Sequence, residues 1–220
     1  LMESVQVISL SATVSNAEEF GEWLGEVRGE TEVIVSEIRP IPLFQHVLIG
    51  NRLMDLFDQP GKINPEILQR EREAIRRSSL GRNRRGRFAE PSDRMSRAEI
   101  IEKLQRENLL PAITFIFSRA QCDSAVKQCL AAGLRLTNTD ERSQIREVIA
   151  EKTRTLPEDD LVVLGFHEWV DSLERGIASH HAGLLPAFKE CVEELFQRGL
   201  IKAVFATETL ALGINMPART

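Results

Sequence analysis

The chain has no run of eighteen apolar residues, so nothing in it reads as a membrane-crossing helix. No charged, then apolar, then small-residue pattern opens it, so no secretory leader is expected in this stretch. Cysteine is scarce. Cys122, Cys129 and Cys191 stand at unrelated spacings, which fit neither a disulfide framework nor a metal knuckle and suit a reducing, cytoplasmic setting. All three fall in helical patterns among apolar neighbours and are expected to be inert. The phosphate-cradling pattern Gly-x-x-x-x-Gly-Lys-Ser/Thr is missing too, because Gly61-Lys62 lacks the earlier glycine. His167-Glu168-Trp169-Val170-Asp171 lacks the second histidine of a zinc-protease helix. His180 and His181 are adjacent at a strand end, so they should face opposite ways, and no cysteine or acid partner is foreseen for them. No metal site is therefore expected. The two tryptophans, Trp23 and Trp169, read as packing residues rather than base-stacking platforms.

What remains is an ordinary globular composition. The 220 residues are 42% hydrophobic and 28% charged, enough to bury a real core in one large domain or two smaller ones. A net charge of -5 argues against a uniformly polyanion-binding chain, but the charge is unevenly spread. Between Arg70 and Arg97 there are ten arginines, no lysine and four acids. The stretch Ser78 to Arg87 has almost nothing to bury and is expected to be disordered. It is either a solvated insertion or a flexible cationic arm for phosphates, and the bidentate fork of arginine favours the arm.

Patterning places the elements. Val5 to Leu10 reads as a buried strand, Ala17 to Leu24 as a helix capped by Asn16, and Val33 to Ile38 as a further strand. The prolines of Arg39-Pro40-Ile41-Pro42 leave regular structure. Leu43–Ile49 and Arg52–Phe57, around Gly50-Asn51, predict a β-hairpin. After Met95, helices and strands alternate. Ser96 caps a helix to about Asn108, and Ala112 to Phe117 is a strand. Ala120–Ala131, Asp140–Lys152 and Leu161–Arg175 are helical, with an acidic, solvated loop over Glu151 to Asp160. Ile177 to His181 is a strand running into a turn. Pro186 to Arg198 is a helix opened by proline and closed before Gly199, and Lys202 to Ala206 is the next strand. Such alternation predicts an α/β fold with a parallel sheet covered by helices on both faces.

Ligands of parallel α/β sheets sit beyond the carboxyl ends of the strands, and small polar residues gather there four times. Leu10 precedes Ser11-Ala12-Thr13, and Phe117 precedes Ser118-Arg119. Ala178 precedes Ser179-His180-His181-Ala182-Gly183. Ala206 precedes Thr207-Glu208-Thr209 and then Gly213-Ile214-Asn215-Met216-Pro217. Hydroxyls and backbone N–H groups along one sheet edge are what gripping phosphates requires.

These residues resemble superfamily 2 helicase motifs. Ser11-Ala12-Thr13 is similar to motif III, and Phe115-Ile116-Phe117-Ser118-Arg119 to motif IV. Ser179 to Pro186 and Ala206 to Ala218 resemble motifs IVa and V, in the wording of the superkiller and exosome-associated DExH-box family. Gly165-Phe166-His167-Glu168-Trp169, leading into Arg175-Gly176-Ile177, is similar to an actinobacterial branch of that family. The resemblance covers nearly the whole chain outside the arginine-rich segment.

It implies a RecA-like second motor lobe over residues 98–220 and the tail of a first RecA-like lobe over 1–38. Between them lie a proline-rich linker and hairpin (39–69) and the arginine-rich insertion (70–97). Both chain ends look like cuts through a larger protein, with the first strand left without its sheet. Ser11, Ala12 and Thr13 would couple nucleotide state to grip. Ser118, Arg119, His181, Gly183 and Thr207, helped by Thr209, would hold a single strand. Gly213 and Asn215 would face a nucleotide. The parent would use ATP and Mg²⁺ on single-stranded nucleic acid, RNA before DNA, beside a nuclease or RNA-processing partner. A DNA repair helicase and a non-catalytic nucleic-acid-binding scaffold are the alternatives. The Asp-Glu-x-His element and the arginine finger motif are absent here, so this chain alone is expected to hydrolyse no ATP.

Overall fold

The computed structural model describes residues 8–10, 16–36, 38, 41–81, 95–157, 163–211 and 217–220. It divides into two compact units, Leu1–Arg77 and Ser78–Thr220.

In the first unit, α1 (Ala17–Arg28) starts at Asn16 and runs one turn beyond the helix expected there. Asn16 does not cap it through a backbone N–H. Its side-chain amide instead donates to the Glu19 carboxylate at 2.7 Å. Residues 31–36 form no strand. The Val33 side chain lies over Gly21 so closely that a Cβ there would meet Val33 Cγ2 at 2.0 Å. The segment thus packs on the helix rather than joining a ladder. Of the expected first strand, residues 5–7 lie outside the described residues, and Ile8, Ser9 and Leu10 are irregular and exposed.

The expected hairpin forms as β1 (His46–Ile49) and β2 (Arg52–Asp55), antiparallel, with Ile49 opposite Arg52. Gly50, at φ +58, supplies the left-handed backbone its two-residue turn needs. Leu56 then breaks the run, and β3 (Phe57–Gln59) pairs with β4 (Lys62–Ile63) in a second hairpin that patterning did not foresee. α2 follows (Pro65–Gly81), so residues 70–81 of the arginine-rich insertion are helical, among them 78–81 of the stretch expected to be disordered. Proline opens the helix, and Glu66 takes Arg70 one turn on at 3.0 Å and Arg52 of the hairpin at 3.0 Å. Such i,i+4 pairs support a helix that buries little. Residues 82–94 lie outside the described residues.

The second unit is the α/β lobe. Its order is α3 (Arg97–Arg106), β5 (Ala112–Phe115), α4 (Arg119–Ala131), α5 (Thr139–Thr153), α6 (Phe166–Glu174), β6 (Ile177–His180), α7 (Pro186–Gln197), β7 (Ala203–Ala206) and a 3₁₀ turn (Glu208–Ala211). α3 and α5 open with reciprocal capping boxes, Ser96 with Glu99 and Asn138 with Glu141. Each cap is worth roughly 1 kcal/mol. The backbone N–H of Ser96 holds the Glu99 carboxyl below its ordinary range. Burial raises the Glu141 pKa, but the Lys202 ammonium at 2.9 Å and the Asn138 N–H outweigh it and leave the pKa lowered. α5 continues through Thr153, into the stretch read as an acidic loop, of which residues 158–160 lie outside the described residues. Of the helix expected over Leu161–Arg175, residues 161–162 lie outside the described residues, Val163 is helical, and α6 starts after Gly165, at φ +69.

The sheet is parallel, in the order β5-β7-β6. Ala112 and Ile177 stand opposite Ala203, and Phe115 and His180 opposite Ala206. Its side chains alternate between two cores. Ile177, Ala203 and Phe205 face α3 and α4, while Ala178, Val204 and Ala206 face α5, α6 and α7. All six are at most 1% exposed. A central strand buried on both faces explains why Ala203-Val204-Phe205-Ala206 reads as continuously apolar. The thiols of Cys122, Cys129 and Cys191 are free and buried. Desolvation raises all three pKa values, Cys129 to about 11 and Cys191 to about 12, which makes them poor nucleophiles.

Candidate nucleic-acid interface

Parallel register brings three of the four polar clusters to one edge. Beyond the strands the ladder continues, with the Ile116 N–H donating to Ala206 O at 2.7 Å and the Thr207 N–H to His180 O at 3.2 Å. The residues after Phe115, Ala206 and His180 therefore emerge side by side. Ser118 is the N-cap of α4, its hydroxyl accepting the Gln121 N–H at 3.4 Å. Arg119 is the first helical residue and is exposed. Phe117, just before it, is 85% exposed. The 181–185 turn ends on Pro186 at the start of α7, so two helix N-termini open on this edge. The first N–H groups of a helix have no partner within it and carry its positive dipole end. With Arg119 in the first turn of α4, the edge is suited to anions.

The second strand end is held by side chains. Ser179 and His181 both turn toward α4, where the hydroxyl of Ser179 donates to Asp123 Oδ1 at 2.8 Å and His181 Nε2 lies 3.0 Å from the same oxygen. His181 Nδ1 accepts the Gly183 N–H at 3.1 Å. His180 turns the other way, to Glu193 Oε1 of α7 at 2.8 Å, and its Nδ1 is buried without a hydrogen-bond partner. The opposite facing is as expected, but the expectation that neither histidine has an acid partner is wrong. Both carboxylates come from helices distant in sequence, 58 and 13 residues away, and folding alone brings them in. Among the described residues no group of three or more His, Cys, Asp or Glu side chains is arranged to hold a metal ion.

Arg119 reaches across to the turn, since a Cβ on Gly183 would stand 3.6 Å from Arg119 Cδ and 3.1 Å from His181 Nδ1. Glycine keeps this space open. Ser118, Arg119, His181, Gly183 and Thr207 thus belong to one edge. Thr207 is buried and starts the 3₁₀ turn, its carbonyl accepting the Leu210 N–H at 3.1 Å. The backbone of Thr209 lies in that turn, and its side chain is outside the description. Ser11, Ala12, Thr13, Gly213 and Asn215 lie outside the described residues. Sequence reading missed Asp123, whose signal was indirect: Ser179 and His181 are two apart, so they share a sheet face, and a carboxylate one turn into α4 sits over it. Trp169 packs as foreseen, stacked on Phe188 with ring centroids 4.1 Å apart. Trp23 is 54% exposed and stacks on Phe20.

No family model matches the chain. Curated proteins do. A protein named probable helicase HelY from Mycobacterium tuberculosis is 56% identical over 100% of the chain and 26% of its own length. The Arabidopsis thaliana protein named DExH-box ATP-dependent RNA helicase DExH15, chloroplastic, is 37% identical over 99% of the chain and 21% of its own. Human superkiller complex protein 2 is 34% identical over 100% of the chain and 19% of its own. The chain spans about a quarter of the length of the HelY relatives. Joined to a parallel α/β lobe with polar strand ends in register, these likenesses make the chain a homologue of one stretch of the HelY helicases and, more distantly, of DExH-box RNA helicases and superkiller complex protein 2.

Proposed function

We propose that this chain is the single-strand-gripping part of an ATP-dependent helicase, RNA being the favoured substrate. The observation that carries the reading is the common edge: Ser118 and Arg119 after β5, His181 and Gly183 after β6, and Thr207 after β7 (strand order β5-β7-β6). Hydroxyls, helix N-termini and one guanidinium recognise a sugar–phosphate chain without reading bases, which lets a motor step along any sequence. RNA is favoured because relatives of this chain are named RNA helicases.

Ser11, Ala12 and Thr13 would pass nucleotide state to this grip, and Gly213 and Asn215 would face the nucleotide. We assign ATP, Mg²⁺ and the phosphoryl-transfer groups to the parent protein, in which positioning and charge stabilisation drive the chemistry. The parent works in the cytoplasm, beside a nuclease or other RNA-processing partner.

ATP hydrolysis by the full-length protein, measured without nucleic acid, with single-stranded RNA and with single-stranded DNA, tests the proposal. RNA should stimulate turnover about tenfold or more, in line with an interaction of about 1.4 kcal/mol or greater, and the 220-residue chain should turn over no ATP. Stimulation by DNA alone moves the parent to DNA repair. Stimulation by neither leaves a non-catalytic scaffold, and steady turnover by the isolated chain overturns the division of labour.

A further inference from the structure

We propose that Asp123 is a positioning residue of this edge, acting through His181 on the turn that carries Gly183. The proposal rests on the reading of the edge as a single-strand interface. A neutral imidazole has one N–H and one lone pair. His181 Nδ1 faces the Gly183 N–H, a donor, so the lone pair is at Nδ1 and the proton at Nε2. Nε2 faces Asp123 Oδ1, which can only accept while ionised. Carboxylate, imidazole and backbone N–H thus form one chain of donors and acceptors with a single consistent direction. The hydroxyl of Ser179 donates to the same oxygen and fixes the carboxylate in turn. Removing the carboxylate frees His181 to move its proton to Nδ1, where it would oppose the Gly183 N–H, and the turn loses its brace. In this proposal Asp123 acts without contacting nucleic acid: it sets the ring, and the ring sets the turn. Such outer partners of a functional histidine fix its tautomer and orientation.

The test is a double-mutant cycle in the full-length protein, reading the concentration of a single-stranded RNA 20-mer that half-saturates ATPase stimulation. His181→Ala and Asp123→Ala should each raise it about tenfold, the size expected for losing a charge-assisted hydrogen bond. The double variant should be no worse than either single one, because coupled residues do not add. Asp123→Asn, whose carbonyl oxygen can still accept both bonds, should stay within about twofold of wild type. If Asp123→Ala does not fold, Ser179→Ala carries the test. It loosens the same carboxylate, should raise the concentration about threefold, and should have no effect in the His181→Ala background. Additive effects, or no effect of Asp123→Ala or Ser179→Ala beside a defective His181→Ala, overturn the proposal. A His181→Ala protein with a wild-type RNA response overturns the interface reading itself.

Discussion

Phe205→Ala should lower the stability of the α/β lobe by about 3–5 kcal/mol, the usual loss for emptying a phenylalanine site in a packed core. Phe205 is 1% exposed on β7, the middle strand, and belongs to the core shared with α3 and α4. Neither flank can collapse into the space without shifting its register on β5 or β6. Phe117→Ala is the control, since a side chain 85% exposed should contribute within about 0.5 kcal/mol. Urea denaturation of the chain followed by circular dichroism separates the two. The Phe205 variant should unfold at a much lower midpoint with little change in slope. Similar midpoints for the two variants would mean that the two-sided packing of β7 is wrong.

Arg119→Ala should weaken single-strand binding about tenfold and flatten its salt dependence. Arg119 is exposed at the first position of α4, beside the Ser118 cap and over Gly183. A cation that neutralises one phosphate releases its condensed counterion, and each such contact contributes a slope of roughly 0.7 in log K against log salt for single strands. The slope should fall by about that amount, while preference among sequences stays unchanged, because a phosphate contact reads no base. Fluorescence anisotropy of labelled single-stranded RNA with the full-length protein, over a salt series, measures both. A loss of affinity at constant slope would place Arg119 away from phosphate.

The lobe was legible where local signals and burial agree. β7 shows as an apolar run because both its faces are covered, and α7 shows as a helix between Pro186 and Gly199, the latter at φ +69. The strand-end clusters were legible because a parallel sheet puts successive carboxyl ends on one edge. What escaped was set by partners far away in sequence. Val33 to Ile38 has the composition of a strand, yet Val33 is claimed by Gly21 of α1. Residues 78–81 have the composition of a disordered segment, yet Glu66 pairs with both Arg52 and Arg70, and the helix begun at Pro65 carries through to Gly81. The acid partners of His180 and His181 came from α7 and α4, so no local pattern announced them. Asp123 escaped for the same reason, as one unremarkable acid in α4 until three-dimensional packing puts it under Ser179 and His181.

The most direct measurement is a structure of the full-length protein bound to single-stranded RNA and a non-hydrolysable ATP analogue. Successive phosphates should lie along the edge formed by Ser118, Arg119, the His181–Gly183 turn and Thr207, with the bases turned away from it. A strand running elsewhere, with this edge left in solvent or covered by protein, would contradict the assignment of the strand ends as the nucleic-acid grip.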